Sequence, residues 1–176
     1  MATESLSTFP AGSTPSLGAD FVYTSQGGVD VKMTPNQLGL YNGGVLTGTP
    51  SNPTGTTNTG GLMMGLAQLF TPGFSTRIKI EIVGMMANST INDGATVQIR
   101  YGTGSAPANA AALTGTAIGA AQTFTSLVAA GKSGFCLTAI VSGLTIATQY
   151  WIDVSLAAVT GGTATITNLT VTVHEV

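Results

Sequence analysis

Between Gly134 and Leu156 the chain reads GFCLTAIVSGLTIATQYWIDVSL, and its apolar residues recur at every second position. Phe135, Leu137, Ala139 and Val141 alternate with Cys136, Thr138 and Ile140. After a break at Ser142-Gly143, Tyr150, Ile152, Val154 and Leu156 alternate with Trp151, Asp153 and Ser155. A repeat of two is the repeat of a strand, whose successive side chains point to opposite faces. The stretch therefore predicts a hairpin-like pair of strands with one face in a core. The other face carries Cys136, Ile140 and Trp151, which are not ordinary solvent-facing residues. They predict a buried interface, with Trp151 as its anchor, because tryptophan is enriched where binding energy concentrates. The alternative is that Trp151 covers a sheet face against the N-terminal segment of its own chain.

The same period appears elsewhere after Leu62. Leu62–Phe70 is apolar and ends at Thr71-Pro72-Gly73; Gly65 and its length make it a strand rather than a short helix. In Thr76–Met86, Ile78, Ile80 and Ile82 face in while Arg77, Lys79 and Glu81 face out. Residues two apart on one strand face are about 6–7 Å apart, so Lys79 and Glu81 can pair weakly. Asn88–Gly94 is a turn, and Ala95–Tyr101 returns with Val97, Ile99 and Tyr101 inward and Arg100 outward. An antiparallel return would set Arg100 across from Glu81. Gly102–Ala121 reads as a Gly/Ala/Pro/Thr loop, Gln122–Leu127 as a short strand, and Ala164–Val173 as the last strand. About eight strands with frequent turns and no convincing helix predict an all-β chain, an antiparallel β-sandwich.

Residues 1–60 differ. They are rich in Ser, Thr, Pro and Gly, with two short β-like pieces, Phe21–Thr24 and Val29–Met33, around Gly27-Gly28. The first twenty residues, without periodicity, bury too little apolar surface to order themselves. The expected organisation is an extended N-terminal attachment arm over 1–60 and a sandwich over 61–176, with Phe21, Tyr23 and Tyr41 as the arm's contact residues.

Only 7% of the 176 residues are charged, against about 25% in ordinary soluble domains. A surface of Thr, Ser, Asn, Gln, Gly and Ala loses little on desolvation, whereas a free monomer usually carries more charge to resist association. The net charge is −2 with five scattered Lys and Arg residues, so nucleic-acid binding is not expected. No run reaches the roughly 18 apolar residues of a membrane helix, and the N-terminus lacks the charged and apolar regions of a secretory signal. The single cysteine leaves no intrachain disulfide and no multi-cysteine zinc site.

Nothing in the sequence assembles catalysis. The one histidine, His174, lies at the end of the last strand on a threonine face, and no nucleophile elbow accompanies it. The acids Glu4, Asp20, Asp30, Glu81, Asp93, Asp153 and Glu175 are spread along the chain and read as solvated or turn residues. Asn88, Asn92 and Asp93 offer oxygens that calcium accepts, but an Asx-rich turn explains them more simply. No enzyme activity, cofactor or metal is expected.

Two resemblances follow. GLTIATQYWIDVSL, Gly143 to Leu156, is similar to the strand E–F corner of fibronectin type III and immunoglobulin-like domains, which implies that Tyr150 is a tyrosine-corner residue. More broadly, the stretch from MMGLAQLFTPGFSTRIKIEIVGMMANSTINDGATVQIRYGTGSAPANAAALTGTA to YWIDVSLAAVTGGTATITNLTVTVHEV resembles small virion structural proteins of tailed bacteriophages. That resemblance implies a jelly-roll sandwich of the TNF-like kind, with the immunoglobulin-like sandwich as the alternative, and a homotrimer. It implies a capsid decoration (cement) protein or head fibre, located in the virion after synthesis in a host cytoplasm. Its partners would be the major capsid protein or neighbouring virion subunits, not a nucleic acid or a membrane. A tail or head-fibre adhesin that binds a host surface glycan is the alternative, with Gly102–Ala121 at an exposed tip.

Overall fold

The computed structural model describes residues 22–26, 29–33 and 44–176. In the N-terminal unit, β1 (Val22–Gln26) pairs antiparallel with β2 (Val29–Met33), with Gln26 opposite Val29. These are the two short pieces expected around Gly27-Gly28.

The second unit, Gly43–Val176, is built from β3 (Val45–Gly48), β4 (Leu62–Met63), β5 (Gln68–Phe70), β6 (Ile78–Asn88), β7 (Asp93–Thr103), β8 (Thr116–Ser126), β9 (Lys132–Val141), β10 (Tyr150–Ala158) and β11 (Ala164–Glu175). One sheet has the order β4-β10-β7-β8, with β5 beside β4 along β10; the other has β3-β11-β6-β9. Every pairing is antiparallel. The pairs are nested in sequence: β7 with β8, β6 with β9, β4 and β5 with β10, and β3 with β11. One long hairpin, folded at residues 104–115 and rolled over two sheets, gives this order. It is the order of a jelly roll, so the jelly-roll expectation holds over the immunoglobulin-like alternative.

The core lies between the sheets. The inner positions read from the alternation, Phe135, Leu137, Val141, Tyr150, Ile152, Val154 and Leu156, are all buried. Ile78, Ile80, Ile82, Val97, Ile99, Val171 and Val173 meet them. β-Branched residues dominate because they fit the pleated, half-buried surface of a strand.

Four expectations are corrected. First, β9 and β10 are not a hairpin. β9 is an edge of one sheet and β10 is central in the other, so residues 142–149 cross the sandwich. Second, β6 and β7 also belong to opposite sheets, so Glu81 lies opposite Thr138 and Thr172, and Arg100 lies opposite Asp153 and Ala117. The Glu81–Arg100 pair does not form, whereas Lys79 Nζ does reach Glu81 Oε2 at 3.4 Å. Third, Leu62–Phe70 is not one strand but two, separated by a detour over residues 64–67. Fourth, the segment assigned to the arm reaches into the body: β3 pairs with β11, and Thr56 bridges to Ala164. The arm boundary expected at residue 60 therefore falls inside the sandwich.

Tyr150 keeps the role implied by its local motif. Its hydroxyl oxygen accepts the N–H of Thr145 at 2.9 Å, five residues upstream. This hydrogen bond pins the crossing segment where it enters β10.

Candidate assembly surface

Three carboxylates expected at the solvated surface are buried and hold loops. Asp93 begins β7 and accepts the N–H groups of Gly94 at 2.7 Å, Thr160 at 3.0 Å and Gly161 at 2.6 Å. The Thr160 N–H, with those of Gly94 and Gly161, holds its carboxyl below the usual range against the opposing effect of desolvation. Next to it, Asn88 donates through Nδ2 to the carbonyls of Gly94 and Gly161, while its Oδ1 accepts the N–H of Thr90. The oxygens weighed as calcium ligands at Asn88 and Asp93 are thus engaged by backbone amides.

These contacts knit together the loops at one end of the sandwich. Asn92 N–H donates to the Ser126 carbonyl, Ala130 N–H to Asn88, Ser89 N–H to Thr163, and Ala158 N–H to Asn58. Ser126 Oγ caps the adjoining turn, donating to the Val128 carbonyl and accepting its N–H. The end is uncharged, and among its exposed polar residues, such as Thr57, Asn58, Ser89, Thr90, Asn92 and Thr160, stand exposed apolar ones. Leu127 is 79% exposed, Val128 66% and Ile91 56%, with Val159 beside them in the chain's next loop of this end. Residues 57–60, 89–92, 127–131 and 159–163 contain no charged residue; the adjoining exposed charge is Lys132 at the start of β9.

The opposite end is organised by Glu175. Its Oε1 accepts the N–H groups of Gly73, Phe74 and Ser75, and its Oε2 accepts that of Gly44 at 2.7 Å. Burial pushes the Glu175 carboxyl up, but these four amides outweigh it and leave it below its ordinary value.

The third carboxylate, Asp153, is completely buried on the outer face of β10. It accepts the N–H groups of Gly65 at 2.9 Å, Leu66 at 3.0 Å and Val154 at 2.7 Å. It replaces the ladder acceptors that the detour between β4 and β5 removes. Burial pushes its carboxyl up, with the amides acting in the opposite direction.

Trp151 shares that outer face but is not an exposed anchor. It is 3% exposed within its own chain, and its Nε1 donates to the Thr103 carbonyl at 3.1 Å. Gly102 and Gly115 lie directly on the indole, where a Cβ would collide with the ring. Gly115 has φ +65°, in the left-handed region that suits glycine. The covering segment is residues 104–115, which the Ala110–Ala111 backbone ties to Met63. Among the described residues the cover is this loop. The same geometry corrects the expected tip: the segment lies down on β10 and does not project, and β8 begins at Thr116.

Cys136 and Ile140 are exposed on the outer face of β9, Ile140 at 56%. They are on the sheet opposite Trp151, so the structure does not bring the three together. Tyr23 lies in β1; Phe21 and Tyr41 lie outside the described residues. Among the described residues no group of three His, Cys, Asp or Glu is placed to hold a metal ion, and no helix is long and apolar enough to cross a membrane.

No family model matches the chain, and no curated protein matches it in sequence. Among solved structures it is similar to the structure of infectious bursal disease virus Gx strain, at 12% identity and a TM-score of 0.46, over 91% of this chain and 36% of that one. It is also similar to the crystal structure of the infectious bursal disease virus VP2 subviral particle, at 14% identity and a TM-score of 0.26, over 93% of this chain and 42% of that one. The chain thus spans less than half the length of either. The fold assignment stands on the strand order alone.

Proposed function

We propose that this chain is a non-enzymatic virion structural protein: a capsid decoration (cement) subunit that trimerises through the uncharged loop end and attaches to a capsid shell through its N-terminal segment. The carrying observation is the end itself, where Ile91, Leu127 and Val128 are exposed on loops tied by hydrogen bonds, and where the one charged side chain of the frame, Asp93, is buried and taken up by backbone amides. Where subunits meet around a threefold axis, residues near the axis approach their own copies, so charges there would repel one another and an uncharged end does not. The small charged fraction of the whole chain supports the same reading. So do the three buried acids, Asp93, Asp153 and Glu175, which are occupied by backbone amides. Cys136 and Ile140 on β9 form a second candidate contact face.

Sedimentation of the full chain tests the reading. The wild type is expected as a trimer, and the double variant Leu127→Asp, Val128→Asp as a folded monomer. A monomeric wild type, or a double variant that stays trimeric, contradicts it. Attachment is tested separately by deleting residues 1–42, which spares β3. The shortened chain should stay folded and lose binding to particles assembled without this protein.

A further inference from the structure

The outer face of the β10-β7-β8 sheet carries a groove of about 450 Å³, one rim of which, Thr59, Gly60 and Val159, adjoins the loop end. Its floor is Thr96 and Gln98 of β7, Thr123 of β8 and Ser155 of β10; Leu113 and Arg100 also line it. Arg100 is the one cation on this sheet among the described residues, because Arg77, Lys79 and Lys132 belong to the other sheet or its approach. Its guanidinium has no carboxylate at ion-pair distance: the ion pair among the described residues is Lys79–Glu81. Asp153 is its register partner, but that carboxylate turns to the amides of Gly65, Leu66 and Val154. Arg100 Nη1 donates to the carbonyls of Thr114 at 2.8 Å and Gly115 at 3.2 Å, while its buried Nε has no hydrogen-bond partner.

We propose that this groove binds an acidic carbohydrate, with a uronic-acid carboxylate on Arg100 and sugar hydroxyls along the floor. A single guanidinium neutralises one carboxylate, whereas a dianionic phosphate would remain undercompensated. The floor supplies hydroxyl and amide groups: the Thr96 and Thr123 hydroxyls are 2.9 Å apart, and Gln98 donates through Nε2 to Gly119, which leaves its Oε1 as an acceptor. Arg100 and Thr96 are four residues apart on β7, which spans about 13 Å at the rise of a strand. That run takes more than one sugar ring. An acidic peptide fits less well, because the central floor strands β10 and β7 are paired on both sides and only β8 at the margin has an open backbone edge. The site does not require the trimer, although its Thr59, Gly60 and Val159 rim adjoins the proposed contact.

The test is an amide NMR titration of the full chain with digalacturonate and with the neutral digalactoside. Saturable shifts at Thr96, Gln98, Arg100 and Thr123 are expected with the acidic disaccharide, and at least about tenfold weaker binding of the neutral one, which corresponds to about 1.4 kcal/mol. Arg100→Gln should weaken the acidic ligand by a similar factor. Because Arg100 also holds residues 114 and 115, a second variant, Ala121→Trp on the β8 wall, blocks the groove and leaves Arg100 in place. It should abolish the shifts. Equal binding of both disaccharides, no saturable shift with digalacturonate, or wild-type affinity in both variants would overturn the proposal.

Discussion

Replacing Asp153 separates what the buried carboxylate does from what its charge costs. In Asp153→Ala the N–H groups of Leu66 and Val154 lose their acceptor inside the protein, and that of Gly65 loses it in a half-buried position. A buried donor without a partner costs about 1–3 kcal/mol. The two fully buried donors therefore predict a loss of about 2–6 kcal/mol, with Gly65 regaining water. Asp153→Asn should be milder. Leu66 and Val154 both donate to Oδ1, which an asparagine carbonyl can replace, so only Gly65 N–H faces a donor in place of Oδ2. That is one lost hydrogen bond, about 1–2 kcal/mol, partly offset by removing a charge that burial disfavours. Urea unfolding reads both variants through Trp151, the only tryptophan, with the denaturant slope checked for constancy. An Asp153→Ala protein within about 0.5 kcal/mol of wild type, or an asparagine variant as unstable as the alanine one, would refute the claim that this carboxylate carries the detour between β4 and β5.

Gly115→Ala drives a Cβ into the indole of Trp151, so the 104–115 segment should lift and Trp151 emission should shift to the red; unchanged emission would show that the loop does not seal the ring. Tyr150→Phe removes the acceptor of the Thr145 N–H and should cost about 0.5–1.5 kcal/mol in the same unfolding assay. The pH dependence has two signs. Asp93 and Glu175 have lowered folded-state values, so their stabilisation is present above the ordinary carboxylate range and is lost as pH falls through the folded values. Glu175→Gln should therefore flatten the acid limb of a stability–pH curve. Asp153 has a raised folded-state value, so its contribution is full in acid and declines as pH rises through that value; Asp153→Asn should lack this decline.

The facing of residues was legible because alternation is a local property. The inner sets of β6, β7, β9 and β10 follow from it, and so does the Lys79–Glu81 neighbourhood. Pairing partners are not local. The short turn between Asn88 and Asp93 reads as a hairpin, yet β6 and β7 enter different sheets, and the buried Asn88 and Asp93 side chains secure that crossing through the loop at 160–161. Trp151 was misplaced for a related reason. Period two puts it on the outer face of β10, and nothing in its own strand says that the earlier loop at residues 104–115 covers that face. The available signals were Gly102 and Gly115, which permit close approach, and Gly65, whose φ of +67° marks the neighbouring detour. β3 escaped notice because a four-residue strand in a Gly/Thr-rich stretch gives too few alternations to read. The loop-end surface was not legible either, because Ile91, Leu127, Val128 and Val159 come from separate turns that only the rolled hairpin brings to one end.

Electron microscopy of the virus particles in which the proposal places this chain tests the central claim most directly. The account predicts regular trimers on the outer face of the capsid shell, with Leu127 and Val128 at the contact between subunits. Copies confined to the tail or to the particle interior, or isolated subunits whose loop ends face solvent, would contradict it.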